Sequence, residues 1–91
     1  MDYQTLVAEH LRITVLRLTA EGPSYSINES LLVDLSTSYG FNPSRDRMRT
    51  ELNWLAEQGL VTLSGPDHCR TAKLTERGAD VAAGRATVPG I

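Results

Sequence analysis

Residues 42–59 read NPSRDRMRTELNWLAEQG, and this stretch constrains the fold more than any other. Met48, Leu52, Leu55 and Ala56 fall on one face at 100° per residue, the pattern of a helix with one buried side. Arg45, Arg47 and Arg49 crowd its first turn and a half. Two starts are open: Asn42 as cap with Pro43 in the first position, or Ser44 as cap directly before the arginines. Gly59 ends the helical period, and Leu60 to Ser64 has the composition of a strand. A helix anchored at its far end and carrying cations at its near end is suited to holding a partner against its outer side.

The flanking segments supply the rest of a small fold. Residues 3–20 form a first helix with two apolar stripes, Leu6, Ile13, Leu16 and Ala20 on one side and Val7, Leu11, Val15 and Leu18 on another. Only an arc around Thr5, Arg12 and Thr19 is polar. One stripe is enough to pack a single domain. Two imply either a helix buried in the middle of the fold or a second face that meets a partner chain. Glu21-Gly22-Pro23 stops the helix. Ser24-Tyr25-Ser26 is too short to assign, with a short edge strand as one option. Ser26-Ile27-Asn28-Glu29 matches a capping box and starts a second helix over residues 27–38, with Ile27, Leu31, Leu32 and Leu35 facing in. Gly40 is the left-handed residue that closes it. After the third helix come a strand over residues 60–64, a loop at Gly65-Pro66-Asp67-His68, and a returning strand over residues 69–74. Thr75 caps a last short helix that runs to Ala83. Residues 84–91 lack a periodic apolar pattern and are expected to form a mobile tail behind one domain over residues 1–83.

Composition bounds the function. Ninety-one residues with 41% hydrophobic content suit one modest core. No apolar run approaches the length of a membrane span, and Asp2 stands where a secretory signal carries positive charge. A lone Cys69 fits a reducing compartment, so a cytoplasmic location is expected. The net charge of −2 runs against the basic character usual for nucleic-acid binders, although a phosphate backbone responds to local charge.

Helices two and three with a glycine turn between them have the layout of a helix-turn-helix, and the hairpin that follows is its wing. Two motifs carry the resemblance. Leu52-Asn53-Trp54-Leu55-Ala56-Glu57-Gln58-Gly59-Leu60-Val61 is similar to the L-x-x-L-x-x-x-G-L-[VI] ending of recognition helices in bacterial winged-helix regulators. Leu74-Thr75-Glu76-Arg77-Gly78 is similar to the L-T-x-[KR]-G that leaves the wing in many of them. A closer likeness joins Ser30-Leu31-Leu32, Ser44-Arg45-Asp46, Trp54-Leu55 and the ending Val81-Ala82-Ala83-Gly84-Arg85-Ala86-Thr87-Val88-Pro89-Gly90. That pattern resembles a family of small proteins from Mu-like phages and prophages. The resemblance implies a mainly α winged helix-turn-helix of phage origin, in the order helix, helix, helix, hairpin, helix. It assigns no activity.

On the third helix, Asp46, Thr50, Asn53 and Glu57 lie opposite the Met48 face, with Arg47 and Arg49 flanking them. The expected partner is duplex DNA. The helix over residues 42–58 would enter the major groove, and the wing over residues 60–74 would lie at the backbone. The residues expected to touch DNA are Ser44, Arg45, Arg47, Arg49, Thr50 and Asn53 on the helix, and Arg70 and Lys73 on the wing. A homodimer through residues 3–20 or the C-terminal segment would join two half-sites. The bland alternative is a solvated face in which arginines pair with nearby acids, Arg47 with Glu51 at i, i+4 for instance. The functional alternative is a protein-docking module of phage assembly. Trp54 is expected half-buried against a neighbouring element. Asp67-His68-Cys69 points its side chains to different faces of a hairpin, so no metal or catalytic role is assigned to it. No cofactor, small-molecule substrate or enzymatic activity is expected.

Overall fold

The apolar faces read from the sequence meet around α1 (Tyr3–Glu21), the longest helix of the computed structural model, which describes residues 2–91. Asp2 caps it by accepting the Thr5 N–H at 2.7 Å. Leu11, Val15, Leu16 and Leu18 are buried, and Ile13 and Ala20 pack at the edge of the same cluster. Helices or strands lie against both stripes, which is the buried-middle alternative for this helix. The exceptions are Tyr3 and Leu6 in its first two turns, 78% and 44% exposed. Among the described residues, no helix is long and apolar enough to cross a membrane.

The next segment departs from expectation. Ser26–Asn28 form a strand, β1, instead of the start of a helix. Asn28, not Ser26, caps α2 (Glu29–Ser36), accepting the Leu31 N–H at 2.8 Å. Glu29, expected to reach back in a capping box, is fully buried. The reason is non-local. β1 pairs antiparallel with β3 (Thr71–Leu74), Ser26 opposite Lys73 and Asn28 opposite Thr71. This gives the backbone partners that a local box would supply only in part. Shifting the helix start also moves Leu31 outward, to 45% exposure, while Leu32 stays buried and Ile27 enters the core from the strand.

A single 3-10 turn over Thr37–Tyr39 and Gly40, at φ 86°, close the helix as expected. α3 (Arg45–Glu57) starts at Ser44, whose hydroxyl accepts the Arg47 N–H at 3.0 Å, and this decides between the two caps. Met48, Leu52 and Leu55 face the core. β2 (Val61–Ser64) and β3 make the wing in register Val61–Leu74 to Ser64–Thr71. Each wing strand starts slightly later than the sequence suggests. The sheet order is β1-β3-β2. Thr75 caps α4 (Glu76–Ala82) through the Gly78 N–H. The architecture is a winged helix-turn-helix, mainly α, with a three-stranded antiparallel sheet instead of a bare hairpin.

Residues 84–91, expected as a mobile tail, lie packed on the domain. Val88 is buried, Ile91 touches the core cluster, and the Gly90 carbonyl accepts from Arg12 at 2.8 Å.

Candidate nucleic-acid interface

Two buried glutamates organise the surface of α3. A carboxylate removed from water must be paired and hydrogen-bonded, because its hydration is lost. Glu29, at the first turn of α2, meets this with three neighbours. Its Oε1 accepts the Arg70 backbone N–H from the wing, and its Oε2 accepts Arg49 Nε at 2.7 Å. Arg45 Nε lies 3.5 Å from the same Oε2, too far for a good hydrogen bond. Burial alone would push the Glu29 carboxyl up. The Arg70 N–H and the Arg49 guanidinium outweigh it and hold the group below its ordinary range. The Nη2 atoms of Arg45 and Arg49 each donate to the His68 carbonyl oxygen at 2.9 Å. One carboxylate and one carbonyl thus fasten the wing loop to α3.

Glu51 repeats the device on the opposite edge. Its Oε1 accepts Arg12 Nε from α1 at 2.7 Å, and its Oε2 accepts Arg47 Nε at 2.8 Å. The Arg12 guanidinium also lies over the Trp54 ring, 4.1 Å from its centroid. Trp54 is half-buried between α1 and the C-terminal segment, as expected. Each bracket contains two arginines and one glutamate, so each keeps one net positive charge.

The predicted residues therefore fall into three groups. Arg45 and Arg49 lie on the wing edge of α3, and Arg47 lies on the α1 edge. All three are half-exposed and all three are ion-paired. Thr50 and Asn53 lie on the outward row with Asp46 and Glu57, all exposed. Thr50 Oγ1 donates to the Asp46 carbonyl at 3.2 Å, and the Ser44 hydroxyl is engaged as the cap. On the wing, Arg70 pairs with Asp67 at 3.1 Å, and Lys73 is exposed on the outer face of β3. Arg49, Asn53, Asp67 and Arg70 line one crevice between α3 and the wing.

Sequence reasoning found the arginines and missed Glu29 and Arg12, which complete the two brackets. Glu51 carried a local signal, the i, i+4 spacing to Arg47. Glu29 and Arg12 carried none, since each reaches α3 from a helix distant in sequence. Glu29 also satisfied the capping-box pattern, which masked it.

No family model matches the chain. It is 42% identical over 86 residues to protein gp26 of Escherichia phage Mu, an alignment covering 94% of this chain and 88% of gp26. It is 40% identical over 78 residues to a protein of Haemophilus influenzae, covering 85% of this chain and 76% of the relative. Among solved structures, H. salinarum RosR superposes with a TM-score of 0.70 at 21% identity, over 81% of this chain and 66% of RosR. A structure described as the hsRosR-S1 complex gives 0.68 at 21%, over 80% of this chain and 64% of that one. The chain thus spans slightly less than two thirds of those structures, and the likeness at this identity shows the shared fold. With two fifths of its residues shared along nearly its whole length, the chain belongs to the family of the Mu protein gp26.

Proposed function

We propose that this protein binds duplex DNA as a homodimer and regulates transcription, with α3 in the major groove and the wing along the backbone. The observation that carries the reading is the pair of arginine brackets on opposite edges of one exposed helix. A helix with its side chains is about 10–12 Å across, and the major groove is about 12 Å wide. Cations at both edges of a helix seated there stand beside the phosphates of both strands. Arg45, Arg47 and Arg49 then act on phosphates, joined by Arg70 and Lys73 from the wing. Ser44 and the α3 N-terminus favour a further phosphate. Thr50 and Asn53 face the base edges. Tyr3 and Leu6, the exposed apolar side chains of α1, support a dimer contact through that helix. Two half-sites joined this way compensate for the small net charge of each module.

A second reading has its own support. The outward row of α3 contains Asp46 and Glu57 and no cation, which suits docking to a protein in a phage assembly role. Titrating labelled random duplexes by anisotropy between about 50 and 200 mM salt separates the two. Affinity falling steeply with salt, and weakened in Arg47→Gln and Lys73→Gln, supports DNA. These variants leave Glu29 untouched, and Glu51 keeps Arg12. Absence of duplex binding by the dimer at about 50 mM salt sinks the DNA reading and favours the protein-docking one.

A further inference from the structure

A helix that reads bases with arginine presents arginine to the groove, and α3 does not. Its outward row is Asp46, Thr50, Asn53 and Glu57. Its arginines are turned to the two edges, Arg45 and Arg49 toward Glu29 and Arg47 toward Glu51. Among the described residues, the Asp46 carboxylate and the Asn53 amide have neither an ion pair nor a side-chain hydrogen bond; Thr50 engages the Asp46 backbone carbonyl only. These two groups are therefore free to meet a ligand, and their chemistry is selective. A carboxylate only accepts hydrogen bonds, and the major-groove base edge that only donates is the cytosine N4 amino group. An amide both donates and accepts, which matches adenine N6 and N7. Guanine shows two acceptors and pairs best with arginine or lysine, which this row lacks. Asn53 lies seven positions after Asp46, about 10 Å along the helix, so the two side chains meet different base pairs of the groove.

The geometry points to a base code in which Asp46 selects a C·G pair, Asn53 selects an A·T pair further along the groove, and the arginines hold phosphates only. The inference rests on the DNA reading above and deepens it. A carboxylate on the reading row is repelled by phosphate and left unpaired at other bases, so it acts against wrong sites more than it adds affinity. Glu57 takes no part, because it is the last residue of α3, one turn beyond Asn53 and farthest from the end that enters the groove in a helix-turn-helix. Asp46 also sits in the first turn, where an acid stabilises the helix dipole. That role affects stability and leaves base preference unchanged.

The test is selection from a random duplex library at low salt with the full chain and its Asp46→Asn, Asn53→Ala and Arg47→Gln variants. Affinities are compared by competition, and thermal midpoints are measured alongside. The wild type is expected to enrich a C·G and an A·T position. Asp46→Asn should convert the C·G position to A·T, with relative affinity between the two sites changing roughly tenfold. Asn53→Ala should flatten the A·T position. A C·G position unchanged in Asp46→Asn, or one flattened by Arg47→Gln, overturns the inference. Duplex binding without enrichment overturns it and leaves DNA binding intact. Absence of any duplex binding removes both.

Discussion

Glu29 shows how one buried charge fixes several exposed ones. Its carboxylate has no exposed surface and is held by the Arg70 N–H and the Arg49 guanidinium. Removing one partner of a buried pair costs about 3–5 kcal/mol because the other charge is stranded. Here Arg45 and Arg49 are half-exposed and water can reach them, so Glu29→Ala should cost about 3 kcal/mol at neutral pH, the low end of that range. Glu29→Gln keeps hydrogen-bonding capacity and should cost less. The folded carboxyl titrates below its ordinary 4.5, so its stabilisation is complete above that pH. It is lost as pH falls through the lower folded value. Urea unfolding from pH 7 down to about 3 should show a shallower acid limb for Glu29→Gln than for the wild type. Parallel acid limbs would show that Glu29 is not held this way.

At the level of elements, the two motifs that carried the resemblance turn out to touch. Thr75 Oγ1 donates to the Gly59 carbonyl at 2.6 Å and accepts the Gly78 N–H at 3.0 Å, while the Thr75 N–H donates to the Leu60 carbonyl at 3.1 Å. The end of α3 and the start of α4 are thus one joint, with the wing looping out between them. Gly78 is glycine for a spatial reason. A Cβ there would sit 1.9 Å from the Leu60 carbonyl oxygen. Helix propensity favours alanine over glycine by about 1 kcal/mol. The clash reverses the sign, and Gly78→Ala should destabilise the protein by about 1–3 kcal/mol, the cost of overpacking. Thermal melting reads this directly, and a raised midpoint would contradict the close approach. The same joint explains why the two motifs could be recognised in the sequence: their spacing reflects one contact.

For the molecule as a whole, charge and closure are the deciding quantities. Arg12, Arg45, Arg47, Arg49, Arg70 and Arg85 are ion-paired, which leaves Arg17, Lys73 and Arg77 as the cations without an ion-pair partner among the described residues. Counting the brackets at one net charge each, with Lys73 added and the Arg70–Asp67 pair neutral, about three positive charges per protomer face the proposed groove. The slope of log affinity against log salt should then be about −2.7 per protomer, where five unpaired contacts would give about −4.5. A slope near the larger value would mean that DNA pulls the arginines off their glutamates. Closure by the C-terminal segment is testable without DNA. Ending the chain after Gly84 exposes the site of buried Val88 and removes the Gly90 carbonyl from Arg12. A buried valine contributes roughly 1.5–3 kcal/mol, so the truncated chain should unfold at a visibly lower urea midpoint. An unchanged midpoint would return residues 84–91 to the status of a tail.

The sequence alone determined the local structure, because local signals carry it. A 3.6-residue apolar period, a cap at Thr75 and a left-handed Gly40 specify helices and their ends through neighbours a few residues apart, while the choice of Ser44 over Asn42 as the α3 cap needed the structure. Only the tertiary structure decided where Ser26–Asn28, Glu29, the arginines and Val88 went. Strand β1 exists because β3 offers an edge to it. Glu29 turns inward because arginines from α3 and an N–H from the wing converge on it. The arginines follow their glutamates to the two edges and leave Asp46, Thr50 and Asn53 on the face between. A charge goes where its desolvation is compensated, and here the compensating groups stand on elements far apart in the chain, beyond the reach of any periodicity.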